Sequence, residues 1–145
     1  MEIRPYTAAD YEATVAMWRE VSRATYTFLD LHTEDEDRGY FRDVIAVEND
    51  LWVAHDDSQI AGYLALRQDY IDRLYVAVGR QGEGVGTALL EHARTLSPAG
   101  LRLCTHQKNV RACRFYERRG FEAIRYGLSP PPEAEPDVEY AWRPA

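Results

Sequence analysis

Apolar positions recur along this chain at two spacings, three-to-four and two, and the switch between them marks out the elements. Glu2 to Tyr6 reads as a short strand. Thr7, with Asp10 three residues on, opens a helix whose Tyr11, Val15, Trp18 and Ser22 fall on one face. Thr33 with Glu36 repeats the capping pattern before a second helix reaching about Val47. Leu51 to His55 and Gln59 to Arg67 read as two strands joined by an Asp56-Asp57-Ser58 turn. Tyr70 to Val78 is the expected central strand, followed by a helix from about Gly84 to Leu96 that Ser97-Pro98-Ala99-Gly100 breaks. Leu101 to Thr105 is the next strand, Asn109 starts another helix, and strands follow from Phe121 to Tyr126 and from Val138 to Trp142. Between those two, Ser129 to Pro136 holds four prolines and reads as an extended loop. The pattern predicts an α/β chain: a mixed sheet of about seven strands flanked by about four helices.

No repeat and no change of composition divides the chain, so residues 1–145 read as one domain. No apolar run approaches the ~20 residues of a membrane span, and no charged-then-apolar leader opens the sequence, so no membrane association is expected. Two cysteines, Cys104 and Cys113, are too few for a disulfide framework and fit a reducing cytoplasm. The net charge of −7 argues against nucleic acid as a partner and favours cationic acceptors such as amines. No metal is called for.

The chemistry concentrates after the central strand, where Gly82, Gly84 and Gly86 lead straight into a helix. Bare backbone N–H groups at a helix start form a site for a phosphate. A P-loop would need lysine after the last glycine, but Thr87 stands there. A dinucleotide loop needs G-x-G-x-x-G after the first strand, and here the third glycine comes one residue early and past mid-chain.

The remaining match, Gln81-x-x-Gly84-x-Gly86 beside Arg80, resembles the acyl-coenzyme A pyrophosphate loop of the GNAT N-acetyltransferase superfamily. A second segment, from Asn109 through Ala112, Phe115, Tyr116 and Gly120 to Phe121, is similar to the later GNAT signature N-x-x-A-x-x-F-Y-x-x-x-G-F at every fixed position. Asn109 suits a helix N-cap, Ala112, Phe115 and Tyr116 share a helical face, and Gly120 suits the left-handed residue that ends a helix. The resemblance implies the GNAT fold, with the strands at Tyr70 to Val78 and Leu101 to Thr105 splayed apart to admit the pantetheine arm of acetyl-CoA. It covers about half the chain at motif level; the remainder fits in layout.

The resemblance also implies roles. Backbone from Gly82 through Glu83, Gly84, Val85 and Gly86 to Thr87, with Arg80 and Gln81 beside it, would hold the diphosphate, and Arg111 or Arg114 could add charge. Leu74, Tyr75 and Val76 would bond the pantetheine as an added strand would, with the Val76 N–H facing the developing oxyanion. Asn109 and Ala112 would flank the arm. Tyr116 would protonate the departing thiolate; apart from the motif it reads as a half-buried helix aromatic. Many relatives place a glutamate base where Cys104 stands, and a cysteine there reads as a small buried apolar residue. Asp72, expected on the face of Leu74 and Val76, is the first candidate base, with a salt bridge to Arg73 or Arg125 as its alternative role. His106 is the second candidate, and a water relay stands beside both. Trp18, Ser22, Tyr26, Phe28, His32 and Trp142 are the candidate acceptor-binding residues, lying on the first two helices and last strands.

The expected activity is direct acetyl transfer from acetyl-CoA to a primary amine, without a covalent acetyl-enzyme, by a monomer or homodimer. A noncatalytic acyl-CoA sensor of the same fold is the alternative, and a nucleotide-binding regulator is disfavoured by the loop spacing.

Overall fold

A computed structural model describes residues 1–29, 31–57 and 59–145. Seven strands form one sheet: β1 (Glu2–Pro5), β2 (Asp50–Asp56), β3 (Gln59–Arg67), β4 (Tyr70–Val76), β5 (Leu101–His106), β6 (Glu122–Leu128) and β7 (Pro136–Trp142). Their spatial order is β1-β2-β3-β4-β5-β7-β6. All neighbouring pairs are antiparallel except β4 and β5, so the predicted mixed sheet is observed. Four helical bodies flank it: α1 (Tyr11–Thr25); α2 (Glu34–Tyr40), which runs through a wide turn at Phe41–Ile45 into α3 (Ala46–Glu48); α4 (Val85–Leu96); and α5 (Val110–Glu117). Among the described residues no helix is long and apolar enough to cross a membrane.

The predicted helix starts are built as the capping pattern implies. Thr33 N–H donates to Glu36 Oε1 at 2.9 Å while Glu36 N–H donates back to Thr33 Oγ1 at 3.2 Å. Thr7 N–H donates to Asp10 Oδ2 at 2.9 Å, and Arg4 holds both oxygens of the same carboxylate at 2.8 Å. The turn between β2 and β3 includes Asp57 in the left-handed region; Ser58 lies outside the described residues.

Each face of the sheet carries its own core. Val15, Trp18 and Val21 of α1 pack with Phe41, Ile45, Val53 and Tyr63 on one face. Leu89, Leu90 and Ala93 of α4 and Tyr116 of α5 pack with Leu64, Leu103 and Tyr140 on the other. β3 is therefore buried on both sides, with Tyr63 and Ala65 feeding one core and Leu64 and Leu66 the other.

Two departures from the expected pattern shape the site. β4 stops at Val76, because Val78–Arg80 coils into a single tight 3-10 turn that aims the glycine segment. Within β4 the register against β3 slips: Ile71 faces Leu66 but Arg73 faces Ala65, leaving Asp72 as an extra residue in a bulge. The bulge overturns the expected placing of Asp72 on the face of Leu74 and Val76. Ile71 joins their core instead, and the Asp72 carboxylate accepts from Asn49 Nδ2 at 3.0 Å. Neither Arg73 nor Arg125 forms the anticipated ion pair with it; Arg125 pairs with Glu139.

Candidate active site

β4 and β5 pair only at Tyr70–Arg102 and Ile71–Leu103, then part. The β3 side of β4 stays paired through Val76. Ala77 donates its N–H to Ala61 O at 2.8 Å, so alternation along the strand turns the N–H groups of Val76 and Leu74 the other way, into the gap. A cleft of about 1110 Å³ opens there, walled by β4, the glycine turn, the start of α4, the end of β5 and α5.

Gly82 and Gly84 both hold left-handed backbone, at φ 85° and 87°, where any other side chain is strained. A Cβ on either would meet nothing within 4 Å, so the space before them is open cleft. Gly84 caps α4, and the first helical bond runs from Ala88 N–H to Gly84 O at 3.0 Å. The N–H groups of Val85, Gly86 and Thr87 are thus free of helix partners and stand at the positive end of the helix. These features fit a diphosphate. Gly86 serves packing: a Cβ there would lie 3.3 Å from two Phe115 ring carbons.

The side chains around this turn are arranged differently from expectation. Arg80 donates to Asp56 at 3.1 Å and to Glu83 at 2.8 Å, and neither Arg80 nor Glu83 lines the cleft. Gln81 accepts from Arg111 at 2.6 Å, and Thr87 Oγ1 accepts from Arg119 at 2.8 Å. Positive charge at the cleft comes from Arg111 and Arg114, as expected, joined by Arg118 and Arg119 just after α5 and by Lys108 and Arg73.

Asn109 caps α5, its Oδ1 accepting from Ala112 N–H at 3.2 Å, and its amide lines the cleft beside Tyr26. The Tyr116 ring is buried against Phe115, Phe121 and Tyr140, at centroid distances of 5.1, 5.3 and 6.3 Å, while the residue still lines the cleft. Burial pushes its phenol above the ordinary range, with Tyr75 adding, so it is held protonated. Burial also pushes Tyr26 up, reinforced by Tyr75 and opposed by Asn109. Three tyrosines, Tyr26, Tyr75 and Tyr116, therefore meet near the Asn109 amide.

A second cavity of about 560 Å³ adjoins the first, and Tyr26, Arg73 and Tyr75 line both. Trp18, Ser22 and His32 line it as predicted residues brought together, and so does His106. The His106 ring stacks edge-on against Tyr26 at 5.3 Å and Phe28 at 5.6 Å; its Nε2 lies 3.8 Å from Glu133, and its Nδ1 is buried without a hydrogen-bond partner among the described residues. Phe28 braces this ring from outside the cavity. Trp142 is elsewhere: it pairs with Leu101 at the opposite end of β5 from His106, under Arg94 at 4.6 Å, so it takes no part in an acceptor site. The loop before β7, and not the last strands, supplies the far wall through Glu133. Cys104 is exposed and faces the cleft, contrary to its expected burial, because its side of β5 lies open past the end of the paired segment.

A sequence profile of the family described as the acetyltransferase (GNAT) domain matches residues 48–123. The chain belongs to the GNAT acetyltransferase family. A curated GNAT relative, peptidyl-lysine N-acetyltransferase YjaB of Salmonella typhimurium, is 32% identical over 84% of this chain and 83% of its own. The solution structure of apo YjaB from Escherichia coli superposes with a TM-score of 0.83 at 28% identity, covering 99% of this chain and 98% of that one. The PaiA N-acetyltransferase of Thermoplasma acidophilum, solved in complex with coenzyme A, shares the fold at a TM-score of 0.76 and 20% identity, over 99% and 98% of the chains. GNAT acetyltransferases use acetyl-CoA as donor, and the open glycine turn and free β4 edge of this chain fit that group.

Sequence reasoning missed several residues that the GNAT fold brings to these cavities. Arg73 carried a readable signal, a lone cation inside the apolar strand Leu74-Tyr75-Val76 extends. Tyr40, Asp37 and Glu133 carried none, since only the packing of α2 and of the loop before β7 delivers them.

Proposed function

We propose that this GNAT domain moves an acetyl group from acetyl-CoA directly to a primary amine, and that the amine is a lysine side chain of a protein or peptide. The observation that carries the reading is the free edge of β4. It turns the Leu74 and Val76 N–H groups into a gap whose far end is the open glycine turn. Gly82, Gly84 and the start of α4 would hold the diphosphate, and Asn109 Nδ2 the pantetheine. Acetyl-CoA, when bound, supplies the thioester carbon that the amine attacks. The Val76 N–H faces the place where negative charge grows on oxygen. Tyr116 gives its proton to sulfur as the carbon–sulfur bond breaks. His106 takes the proton lost by the amine, directly or through water; its unpartnered Nδ1 and its place in the second cavity make it the first base to test, with Asp72 the other.

The lysine reading rests on the names of the relatives, peptidyl-lysine N-acetyltransferases, and on the carboxylates of Glu36, Asp37 and Glu133 along the second cavity. Two unpaired cysteines support a cytoplasmic setting, and the net charge of −7 speaks against a nucleic acid partner. The test is incubation with acetyl-CoA and a panel of lysine peptides, polyamines and amino acids, reading coenzyme A release and acetylated product by mass spectrometry. Acetyl on a lysine Nε is the expected result. Tight acetyl-CoA binding with no acetylated amine from any acceptor would instead make the chain a sensor.

A further inference from the structure

The Arg73 guanidinium sits where the two cavities meet and has no protein carboxylate within ion-pair distance among the described residues. Its flat face lies over Trp18 at 4.3 Å, with Tyr40 at 5.6 Å and Tyr75 at 5.9 Å. Those rings attract the cation through its face but accept nothing from its edge, where five N–H groups point. Among the described residues its one protein acceptor is Tyr63 Oη, at a long 3.4 Å from Nη1.

The carboxylates nearby are spoken for. Asp37 takes Arg19 at 3.0 Å and Arg23 at 3.8 Å; Glu36 accepts from Thr33 N–H; Glu133 faces His106. Asp72, the neighbour in sequence, is turned by the bulge to Asn49. A partly buried guanidinium is costly to leave with open donors, and its planar fork matches a carboxylate in two parallel bonds.

We infer that Arg73 is a specificity-determining residue of the acceptor site, holding a carboxylate carried by the same molecule as the reacting amine. This rests on the acetyl-transfer reading above. It narrows the acceptor to amines that bear an acid group within reach: a free amino acid through its α-carboxylate, or a peptide through an Asp or Glu beside the target lysine. Arg73 touches the acceptor away from the reacting nitrogen, so it acts through binding and orientation. The aromatic stack beneath it fixes the fork in place before the acceptor arrives.

The test compares acceptors that differ only in the acid. Nα-acetyl-lysine is set against its carboxamide, and a peptide with glutamate beside lysine against the same peptide with glutamine. The wild-type protein should favour the acid in at least one pair, by about tenfold to a hundredfold in kcat/KM, expressed mainly in KM. Which pair shows it identifies the source of the carboxylate. Arg73→Gln should bring that ratio to about one, and because it is a ratio of two acceptors on one protein it is read at any residual activity. Should Arg73→Gln fail to fold, glutarate inhibition of the wild-type protein replaces it: competition against the amine and none against acetyl-CoA is the expected pattern. Equal kcat/KM within both pairs, or an acid preference that survives in Arg73→Gln, overturns the subsite while acetylation stands. Absence of any acetylated product overturns the reading beneath it.

Discussion

Replacing Tyr116 by phenylalanine separates its two roles, because the structure divides the side chain between them. The ring belongs to the core, in contact distance of Phe115, Phe121 and Tyr140, and phenylalanine keeps all of that. The hydroxyl bonds to no other described residue and opens on the cleft, so its loss leaves no buried partner orphaned. Stability should therefore change by no more than about 0.5 kcal/mol. Chemistry should suffer more. A positioned proton donor contributes roughly 10²–10⁴-fold, and a thiolate is a tolerable leaving anion, so the lower end applies: about a hundredfold in kcat, or ~2.7 kcal/mol.

The assay should follow coenzyme A by chromatography, because the exposed Cys104 thiol would consume a disulfide reagent. Single-turnover rates isolate the chemical step from product release. Calorimetry with coenzyme A should give a Kd within about twofold of wild type, since the diphosphate and pantetheine contacts assigned above are backbone and Asn109. A Tyr116→Phe single-turnover rate within threefold of wild type would remove Tyr116 from proton transfer and turn attention to Tyr26, whose phenol is likewise held protonated and lines both cavities.

Gly84→Glu forces a side chain onto left-handed backbone and sends a carboxylate into the space assigned to the diphosphate, so coenzyme A affinity should fall at least a hundredfold; calorimetry showing retained affinity would refute the loop assignment. Gly62→Ala puts a Cβ 2.7 Å from the Tyr75 carbonyl and 3.0 Å from Val85, which should cost about 1–3 kcal/mol in urea unfolding and, by shifting the β4 edge, weaken coenzyme A binding as well; a wild-type midpoint would show that β3 and α4 are less closely packed than described. Asp10 is held down to about 2 by hydrogen bonds from Arg4, against an ordinary 3.8. A lowered carboxyl stabilises the fold above its unfolded value, and the gain is lost as pH falls from about 4 through about 2; Asp10→Asn should cost about 1–2 kcal/mol at pH 7, after allowance for solvent screening, and much less at pH 2, as urea unfolding at both pH values would show.

What could be read from the letters was local. The capping pairs at Thr7 and Thr33, the Asn109 cap and the left-handed Gly84 and Gly120 depend on residues a turn apart, and each is built as its pattern implies. What could not be read depends on distant partners. Asp72 alternates correctly in sequence, and only the register against β3 produces the bulge that turns it to Asn49. Arg80 stands in the right place for a phosphate ligand, but Asp56, 24 residues earlier, captures it. Trp142 shares its strand with Asp137 and Val138, which pair with the His106 end of β5, yet lies at the far end of that strand, by Leu101.

A net charge of −7 opposes an anionic donor at long range, and the fold resolves this by separation. Arg111, Arg114, Arg118 and Arg119 gather along one side of the first cleft. Glu34, Asp35, Glu36 and Asp37 gather at the start of α2, beside the second cavity. Over the ~8 Å screening length of physiological salt, each cavity feels its own neighbours more than the total. An anionic donor on the arginine side and a cationic amine on the carboxylate side are then both favoured locally. They meet where the two cavities join; the reacting atoms are expected beside Tyr26 and Tyr75, while Arg73, which also lines both cavities, holds the acid group of the acceptor.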